Sequence, residues 1–295
     1  MTNSKWGIND IPDQTEKVFI VTGATSGLGE EATKVLAKKN ATVVMAVRNT
    51  QKAEGVAQKF QSAKIDIRHL DLSSLESVQS FAEGILANYD RLDGLINNAG
   101  VMACPFSTTK DGFEIQMGTN HFGHFALTGR LMPLLKSTQG SHVAVTSSVA
   151  HRSGNIDFSD INWEKRDYRT TQAYGDSKLA NLLFVKELAR KLSGDHDAPL
   201  ITASHPGWTR TELQRHSLMF RVLNPFFSQG VEDGVLPTLR SALDPAANSG
   251  DYYGPSRMME LWGPPVVVSS SERSFDEIAA KRLWEMSEEL TKVHF

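Results

Sequence analysis

Thr22-Gly23-Ala24-Thr25-Ser26-Gly27-Leu28-Gly29 is the stretch from which the rest of the chain can be read. It follows the apolar run Val18-Phe19-Ile20-Val21 and precedes a helix-forming segment at residues 30–39, which predicts a strand-to-helix turn made of small residues. Such a turn suits a phosphate. Glycine permits backbone angles that a side chain forbids and lets the main chain approach a ligand, while the following helix aims unpaired N–H groups and the positive end of its dipole at the anion. The spacing is G-x-x-x-G-x-G rather than the G-x-G-x-x-G of the common dinucleotide fingerprint. A triphosphate-binding loop fits less well, because Gly29 is followed by Glu30 and Glu31 where that loop needs Lys and Ser/Thr. A turn serving only chain geometry is the plainer alternative.

Downstream the pattern alternates. Ala41-Thr42-Val43-Val44-Met45-Ala46-Val47 reads as a second buried strand ending at Arg48, and residues 51–61 as a helix. Lys64-Ile65-Asp66-Ile67-Arg68-His69-Leu70 reads as a third strand, after which Asp71-Leu72-Ser73-Ser74 carries a helix-cap signal. Leu92-Asp93-Gly94-Leu95-Ile96 makes a fourth strand running into Asn97-Asn98-Ala99-Gly100. Residues 111–135 form a long apolar helical region holding Asn120, His121 and His124 and closed by Pro133 and the Gly140 turn. A fifth strand, Ser141-His142-Val143-Ala144-Val145-Thr146, ends in Ser147-Ser148, and the polar segment 151–171 predicts an excursion near a ligand mouth. Tyr174-Gly175-Asp176-Ser177-Lys178 opens a helix reaching Leu192, with Leu179, Leu182 and Leu183 on its buried stripe. A sixth strand, Leu200-Ile201-Thr202-Ala203-Ser204, stops at His205-Pro206-Gly207-Trp208-Thr209-Arg210-Thr211. Residues 212–229 are too apolar for an ordinary surface loop and read as a substrate lid or, equally on pattern, a packed helix. Residues 231–243 and 274–290 read as helices, and 250–268 as loops with a short final strand. With neither a linker nor a repeat, the expectation is one α/β domain over residues 1–295: a doubly wound, Rossmann-type parallel sheet of about seven strands with helices on both faces. Ligands of such sheets bind beyond the carboxyl ends of the strands.

Composition narrows the partners. The formal charge of -3 and the lack of a Lys/Arg run argue against nucleic acid or an anionic membrane surface, and for a small or neutral ligand. The single Cys104 excludes an internal disulfide framework and suits a reducing compartment. The polar N-terminal residues lack a signal-peptide pattern, and no apolar run approaches the roughly 20 residues needed to cross a bilayer. A cytoplasmic protein without membrane insertion is expected. His121 and His124 lack the ligand count of a metal site, so no metal is expected.

Chemistry is argued from residues rather than from the fold. Tyr174 and Lys178 are four apart and stand on one helical face. A free tyrosine titrates near pH 10, and an ammonium one turn away favours its phenolate, which would make the pair a usable acid–base group. Ser148 could hydrogen-bond a substrate oxygen, and Asn120 could hold a water or a main-chain group in a proton relay. An exposed Tyr beside a solvated Lys is the ordinary alternative for these two residues alone. Arg48 sits about 20 residues past the glycines, where an acidic residue would grip a ribose 2′-hydroxyl and an Arg accommodates a 2′-phosphate, which favours NADP(H) over NAD(H).

Taken in order, Thr22 to Gly29, Asp71-Leu72, Asn97-Asn98-Ala99-Gly100, Asn120, Ser147-Ser148, Tyr174 with Lys178, and Pro206-Gly207 with Thr211 resemble the short-chain dehydrogenase/reductase family. Met45-Ala46-Val47-Arg48-Asn49, Asn120-His121-Phe122-Gly123-His124-Phe125, Ser177-Lys178-Leu179-Ala180-Asn181 and His205-Pro206-Gly207 are most similar to its retinol-dehydrogenase-like branch. The resemblance implies an oxidoreductase that interconverts an alcohol and an aldehyde or ketone. Tyr174 would be the acid–base residue, Lys178 would also hold the nicotinamide ribose, Ser148 would orient the carbonyl and Asn120 would complete the relay. Gly23, Thr25, Ser26, Gly27, Leu28 and Gly29 would cradle the pyrophosphate, Asp71 and Leu72 would meet the adenine, and Asn97, Ala99 and Gly100 would lie along the cofactor. Pro206, Gly207, Thr209 and Thr211 would meet the carboxamide and phosphates. Three departures are plain. Ser147 stands in reserve for Ser148, Ser26 replaces the basic residue that many NADP-preferring members carry, and the apolar N-terminal anchor of many retinol-branch relatives is missing. The family also implies helix-mediated homodimers or homotetramers. A nucleotide-binding regulator or redox sensor of the same fold is the competing functional class.

Overall fold

The computed structural model describes residues 6–60, 64–209 and 229–295. Its strands are β1 (Val18–Thr22), β2 (Thr42–Val47), β3 (Lys64–His69), β4 (Gly94–Asn97), β5 (His142–Thr146), β6 (Leu200–Ser204), β7 (Tyr252–Arg257) and β8 (Trp262–Val267). They form one sheet in the order β3-β2-β1-β4-β5-β6-β7-β8. All neighbours run parallel except β7 and β8, which pair antiparallel. The order reverses between β1 and β4, and that reversal opens a crevice at the carboxyl ends of the two strands.

The inner strands β1, β2, β4, β5 and β6 are largely apolar because both sheet faces are covered there, whereas β3 at the edge alternates with polar residues. In β1, Ile20 packs into one core with Leu127 and Leu131 of the Gly123–Ser137 helix and Leu182 and Phe184 of the Thr170–Lys191 helix. Its neighbours Phe19 and Val21 turn to the opposite core, with Leu28, Val35 and Leu36 of the Gly27–Lys38 helix. This is the period-2 alternation of a strand, used on both sides. Truncating a residue such as Ile20 to Ala should destabilise by about 2–5 kcal/mol. Ser74 caps the Leu75–Asn88 helix by accepting from Ser77 N at 3.3 Å, as its type and position lead one to expect.

Three elements differ from the pattern in the sequence. Residues 250–268 make two strands rather than a loop and one short strand. Pro264 and Pro265 disguise β8, and as the last strand of the sheet it tolerates them. The helix holding Pro133 continues through it to Ser137. The expected helix over 111–135 is interrupted: after a turn at Ile115–Met117 comes a π-helical turn at Gly118–Phe122, closed by Gly123 N donating to Gly118 O. That wider turn carries Asn120. At the far side, the Glu277–Thr291 helix packs on the Thr170–Lys191 helix, with Trp284 5.1 Å from Phe125 and 4.8 Å from Phe295 between ring centres.

Candidate active site

Sterics shape the glycine turn. Gly23 (φ 70°) and Gly27 (φ 56°) occupy the left-handed region, and a Cβ on Gly29 would stand 2.3 Å from Gly23 O. The start of the Gly27–Lys38 helix is thereby pressed onto the end of β1. Ser26 is the N-cap, yet its side chain makes no cap bond. Leu28 points its side chain into the core, so it can meet a ligand only through its main chain. Thr22 ties this turn to the end of β4: its Oγ1 accepts from Asn98 N and Ala99 N, both at 2.9 Å, and Asn98 Nδ2 donates to Thr22 O at 2.9 Å. Thr22 Oγ1 also lies 3.0 Å from His124 Nε2. His124 Nδ1 must carry the proton it donates to Asn120 O at 3.0 Å, and burial keeps the ring neutral by pushing its pKa down to about 4. Nε2 is therefore the acceptor for the Thr22 hydroxyl.

Along this crevice one expectation needs correcting. Asn97 is the last residue of β4 and points into the core, where its Nδ2 donates to Thr128 Oγ1 at 2.9 Å and its side chain is fully buried. Strand alternation places only its main chain toward the crevice edge, and the structural work falls to Asn98. Ala99 borders Gly23 closely: a Cβ on Gly23 would meet Ala99 Cβ at 3.0 Å. Arg48 is exposed at the end of β2. Burial works against the Asp71 carboxylate, but the Ser73 hydroxyl (2.7 Å) and amide (3.0 Å), with charges on Arg48 and Lys110, hold its pKa below the usual value. Two cations therefore face this corner of the site. Leu72 is buried in the core, with its carbonyl against Gly123.

The second cluster stands where β5 ends. Ser147 is buried and donates to Lys178 O at 2.8 Å, while its amide donates to Ser204 O. Its hydroxyl is committed to the scaffold. Ser148 caps the 3₁₀ turn Val149–Ser153 by accepting from Ala150 N at 3.2 Å, and its hydroxyl stands near enough to the Tyr174 phenol to ease its ionisation. Tyr174 and Lys178 lie one turn apart on the Thr170–Lys191 helix, with Lys178 Nζ 5.7 Å from the tyrosine ring centre. Lys178 is buried and donates to Thr146 O at 3.0 Å, an oxygen it shares with Asn181 Nδ2. Burial pushes the Tyr174 phenol up to about 12, opposed by the neighbouring Ser148 hydroxyl, and pushes the Lys178 ammonium down to about 8. The lowered tyrosine expected from the sequence is thus reversed. The low-dielectric setting penalises the phenolate more than the nearby lysine relieves it.

Asn120 connects the two clusters. Its Oδ1 accepts from Val101 N (2.8 Å), and its Nδ2 donates to Val101 O (2.9 Å) and Ser177 Oγ (2.9 Å). Ser177 in turn donates to Tyr174 O at 2.8 Å. The Asn120 side chain is consumed in holding main chain, which leaves its carbonyl, bound by His124, as the group nearest a relay. Gly100 is required beside it, since a Cβ there would lie 2.9 Å from Asn120 Oδ1.

After β6 the chain turns sharply at Gly207 (φ 64°), where a Cβ would meet Leu261 O at 2.4 Å. Thr209 Oγ1 donates to Pro206 O at 2.7 Å, and Gln229 Nε2 donates to the same oxygen at 2.7 Å. Thr211 and residues 212–228 of the expected lid lie outside the described residues. His121, the other residue weighed for metal, is buried with its Nε2 2.8 Å from Ser287 Oγ. Among the described residues there is no group of three or more His, Cys, Asp or Glu arranged to hold a metal.

Sequence reasoning weighed His124 only as a metal ligand and gave no role to Asn98, Lys110, His151, Arg152 or Glu260. His151 donates from Nδ1 to Ser148 O (2.6 Å) and accepts at Nε2 from Ser271 N (3.0 Å). The Asn-Asn doublet offered a signal for Asn98. Arg152 and Glu260 are far apart in the chain, as are His124 and Thr22 and His151 and Ser271, and no local pattern marks these pairings.

Comparison with known proteins agrees with this arrangement. Residues 17–219 match the short chain dehydrogenase family. Human retinol dehydrogenase 13 is 39% identical over 289 residues, covering 93% of this chain and 84% of its own length. Human retinol dehydrogenase 11 is 41% identical over 281 residues, covering 92% and 84%. A solved structure of a Mycobacterium paratuberculosis protein has a TM-score of 0.85 at 39% identity over 99% of both chains. A short chain dehydrogenase of Shigella flexneri, solved in complex with NADP, has a TM-score of 0.67 at 27% identity over 82% of this chain and 98% of its own. With the sheet order, the glycine turn and these relatives in agreement, the chain belongs to the short chain dehydrogenase family and is an NAD(P)-dependent oxidoreductase acting on alcohol and carbonyl groups.

Proposed function

We propose that the protein interconverts an apolar alcohol and its aldehyde or ketone with NADP(H) as the preferred cofactor, using Tyr174, Lys178, Ser148 and Asn120. The observation that carries this reading is the placing of the Ser148 hydroxyl beside the Tyr174 phenol, with Lys178 one turn away, at the same strand ends as the glycine turn. The left-handed Gly23 and Gly27 and the tight approach at Gly29 fit a pyrophosphate held by main chain at a helix start. The dinucleotide supplies or accepts a hydride. In reduction, the Ser148 hydroxyl would donate a hydrogen bond to the substrate carbonyl oxygen and Tyr174 would give that oxygen its proton. A phenol with its pKa pushed up to about 12 is protonated at neutral pH and ready for that step. Oxidation needs the phenolate, which the Lys178 ammonium stabilises once the group is charged. Asn120 would act by fixing the Val101 main chain and the Tyr174–Ser177 turn.

Preference for NADP(H) is supported by Arg48, with Lys110 near the same Asp71 corner, and by the NADP complex of the Shigella relative. The apolar substrate is supported by the names of the human relatives and by the apolar sequence of residues 212–229. A cytoplasmic location is supported by the solitary Cys104 and is part of the same proposal. Helix-mediated homodimers or homotetramers would have to use faces that the Glu277–Thr291 helix leaves open. A panel of aldehydes, ketones and alcohols, assayed with NADPH, NADP, NADH and NAD by nicotinamide absorbance, tests the proposal. Turnover of apolar carbonyls with NADPH is expected, and nucleotide binding without turnover across the panel would instead favour a sensor.

A further inference from the structure

The turn joining β7 to β8 carries a backbone that side chains disfavour. Met258 (φ 51°), Met259 (φ 54°) and Glu260 (φ 65°) are consecutive non-glycine residues in the left-handed region. Such conformations persist where surrounding contacts impose them. Here the contacts converge on the Glu260 carboxylate. Arg152 Nη2 donates to its Oε1 at 3.0 Å and to its Oε2 at 3.2 Å, and the same Oε2 lies 3.2 Å from His205 Nε2. His205 is fully buried, and its Nδ1 accepts from Gly207 N at 3.2 Å, which leaves the proton on Nε2, in contact with Glu260 though not aligned as a hydrogen bond to it.

Two glycines make the meeting possible. A Cβ on Gly254 would stand 2.1 Å from His205 Nε2, and one on Gly207 would stand 2.4 Å from Leu261 O. The carbonyl of Leu261 then accepts from Trp208 N at 3.1 Å. On the other side, Arg152 belongs to the 3₁₀ turn that Ser148 caps, and its Nη2 also donates to Ser269 O at 3.2 Å. One carboxylate on a left-handed turn therefore joins the segment following Ser148 to the loop at Pro206-Gly207.

We propose that Glu260 is a positioning residue, clamping the Ser148 turn through Arg152 and the Gly207 loop through His205 so that both sides of the reaction site keep a fixed separation. The assignment rests on the oxidoreductase reading for its catalytic consequence but not for the clamp. The Arg152 side chain is 48% exposed and that of Glu260 21%, so the ion pair itself adds little to global stability, and its effect is concentrated on the two loops it joins.

Glu260→Gln and Arg152→Gln, singly and together, test the clamp in the full chain. Amide hydrogen exchange at Gly207 and Trp208, and through Ala150 to Ser153, should speed up about tenfold or more in each variant, while exchange in β1 and β4 stays at the parent rate. With a carbonyl that the parent reduces, kcat should fall about tenfold to a hundredfold with nucleotide affinity changed less than about threefold, because misplacement acts on the reacting geometry. The double variant should be no worse than the single ones, as members of one unit are not additive. Arg152→Lys should recover part of the lost rate. Exchange unchanged in the two loops, or additive losses that track a global fall in melting temperature, would overturn the proposal. The exchange measurement needs no turnover, so a parent inactive across the carbonyl panel would defeat the oxidoreductase reading while the clamp was still decided.

Discussion

At the carboxyl end of β1 the chain presents a ligand with main chain and small side chains, whereas at the end of β5 it presents a half-buried hydroxyl and phenol and a buried ammonium. The first region selects by shape: Gly23 and Gly29 leave no room for a side chain, Gly27 holds a left-handed backbone, and Thr22 and Asn98 fix the loop by hydrogen bonds to backbone. The second selects by proton affinity, with burial moving Tyr174 and Lys178 in opposite directions. Binding and chemistry are thus assigned to different materials a few strands apart. A substitution in one region should leave the other's observable largely alone.

Tyr174→Phe is the strongest test of that separation. Removing the proton donor should lower kcat by about a thousandfold or more, near the upper end of general acid–base contributions, with the nucleotide dissociation constant within a few-fold of the parent. Steady-state rates and a fluorescence titration read the two quantities. Ser148→Ala should reduce kcat by about a hundredfold, the usual loss of one donor to a developing oxyanion. Ser147→Ala, by contrast, should appear mainly in the melting temperature, because its hydroxyl serves Lys178 O. If Ser147→Ala were the one that stopped turnover, the two serines would have to exchange roles.

From the glycine side, Gly29→Ala forces a methyl against Gly23 O and should destabilise the fold by about 1–3 kcal/mol while weakening nucleotide binding, seen by thermal melting and titration. Arg48→Ala should raise the dissociation constant for NADPH about tenfold, in keeping with the loss of one charge-assisted bond, and that for NADH hardly at all. Equal effects on both would remove the case for the 2′-phosphate.

A last test is gentler and reads the link between the regions. The buried rings of His121, His124 and His151 stay neutral, with pKa values pushed down to about 3, 4 and 4, whereas the unfolded rings titrate at 6.5. Between those values the unfolded chain binds protons that the folded chain refuses, so the contribution of these rings to stability should be flat above pH 6.5 and fall as pH drops toward about 4. Melting temperatures across that window check it. His124→Asn should flatten part of the slope, since Thr22 and Asn120 O would lose their shared imidazole.

The sequence was most informative where the cause is local. Left-handed glycines, a strand running into a helix and a Tyr–Lys pair one turn apart are short-range facts, and each stands where it was expected. What escaped depends on partners far along the chain. Asn97 and Asn98 are indistinguishable until the phase of β4 is known, and Arg152 and Glu260 lie 108 residues apart. The Trp262-Gly263-Pro264-Pro265 stretch reads as loop because its prolines are tolerated only at a sheet edge, and the edge is a property of the whole fold. The reversal at Tyr174 has the same origin: spacing shows that Lys178 is near, but not how dry the site is.

The π-helical turn at Gly118–Phe122 sets a rule about counting. A π-helical turn takes one residue more than an α-helical turn, so deleting one would close it to ordinary i→i−4 bonding and turn Asn120 about 100° around the axis relative to the Gly123–Ser137 helix. With Leu127 and Leu131 held in the core, Asn120 would be the residue displaced, away from Val101 and Ser177. The spacing between Asn120 and the helix after it is therefore as much a part of the site as the identity of either. Between them lie His121 and Phe122, two residues whose number can tolerate less change than their chemistry.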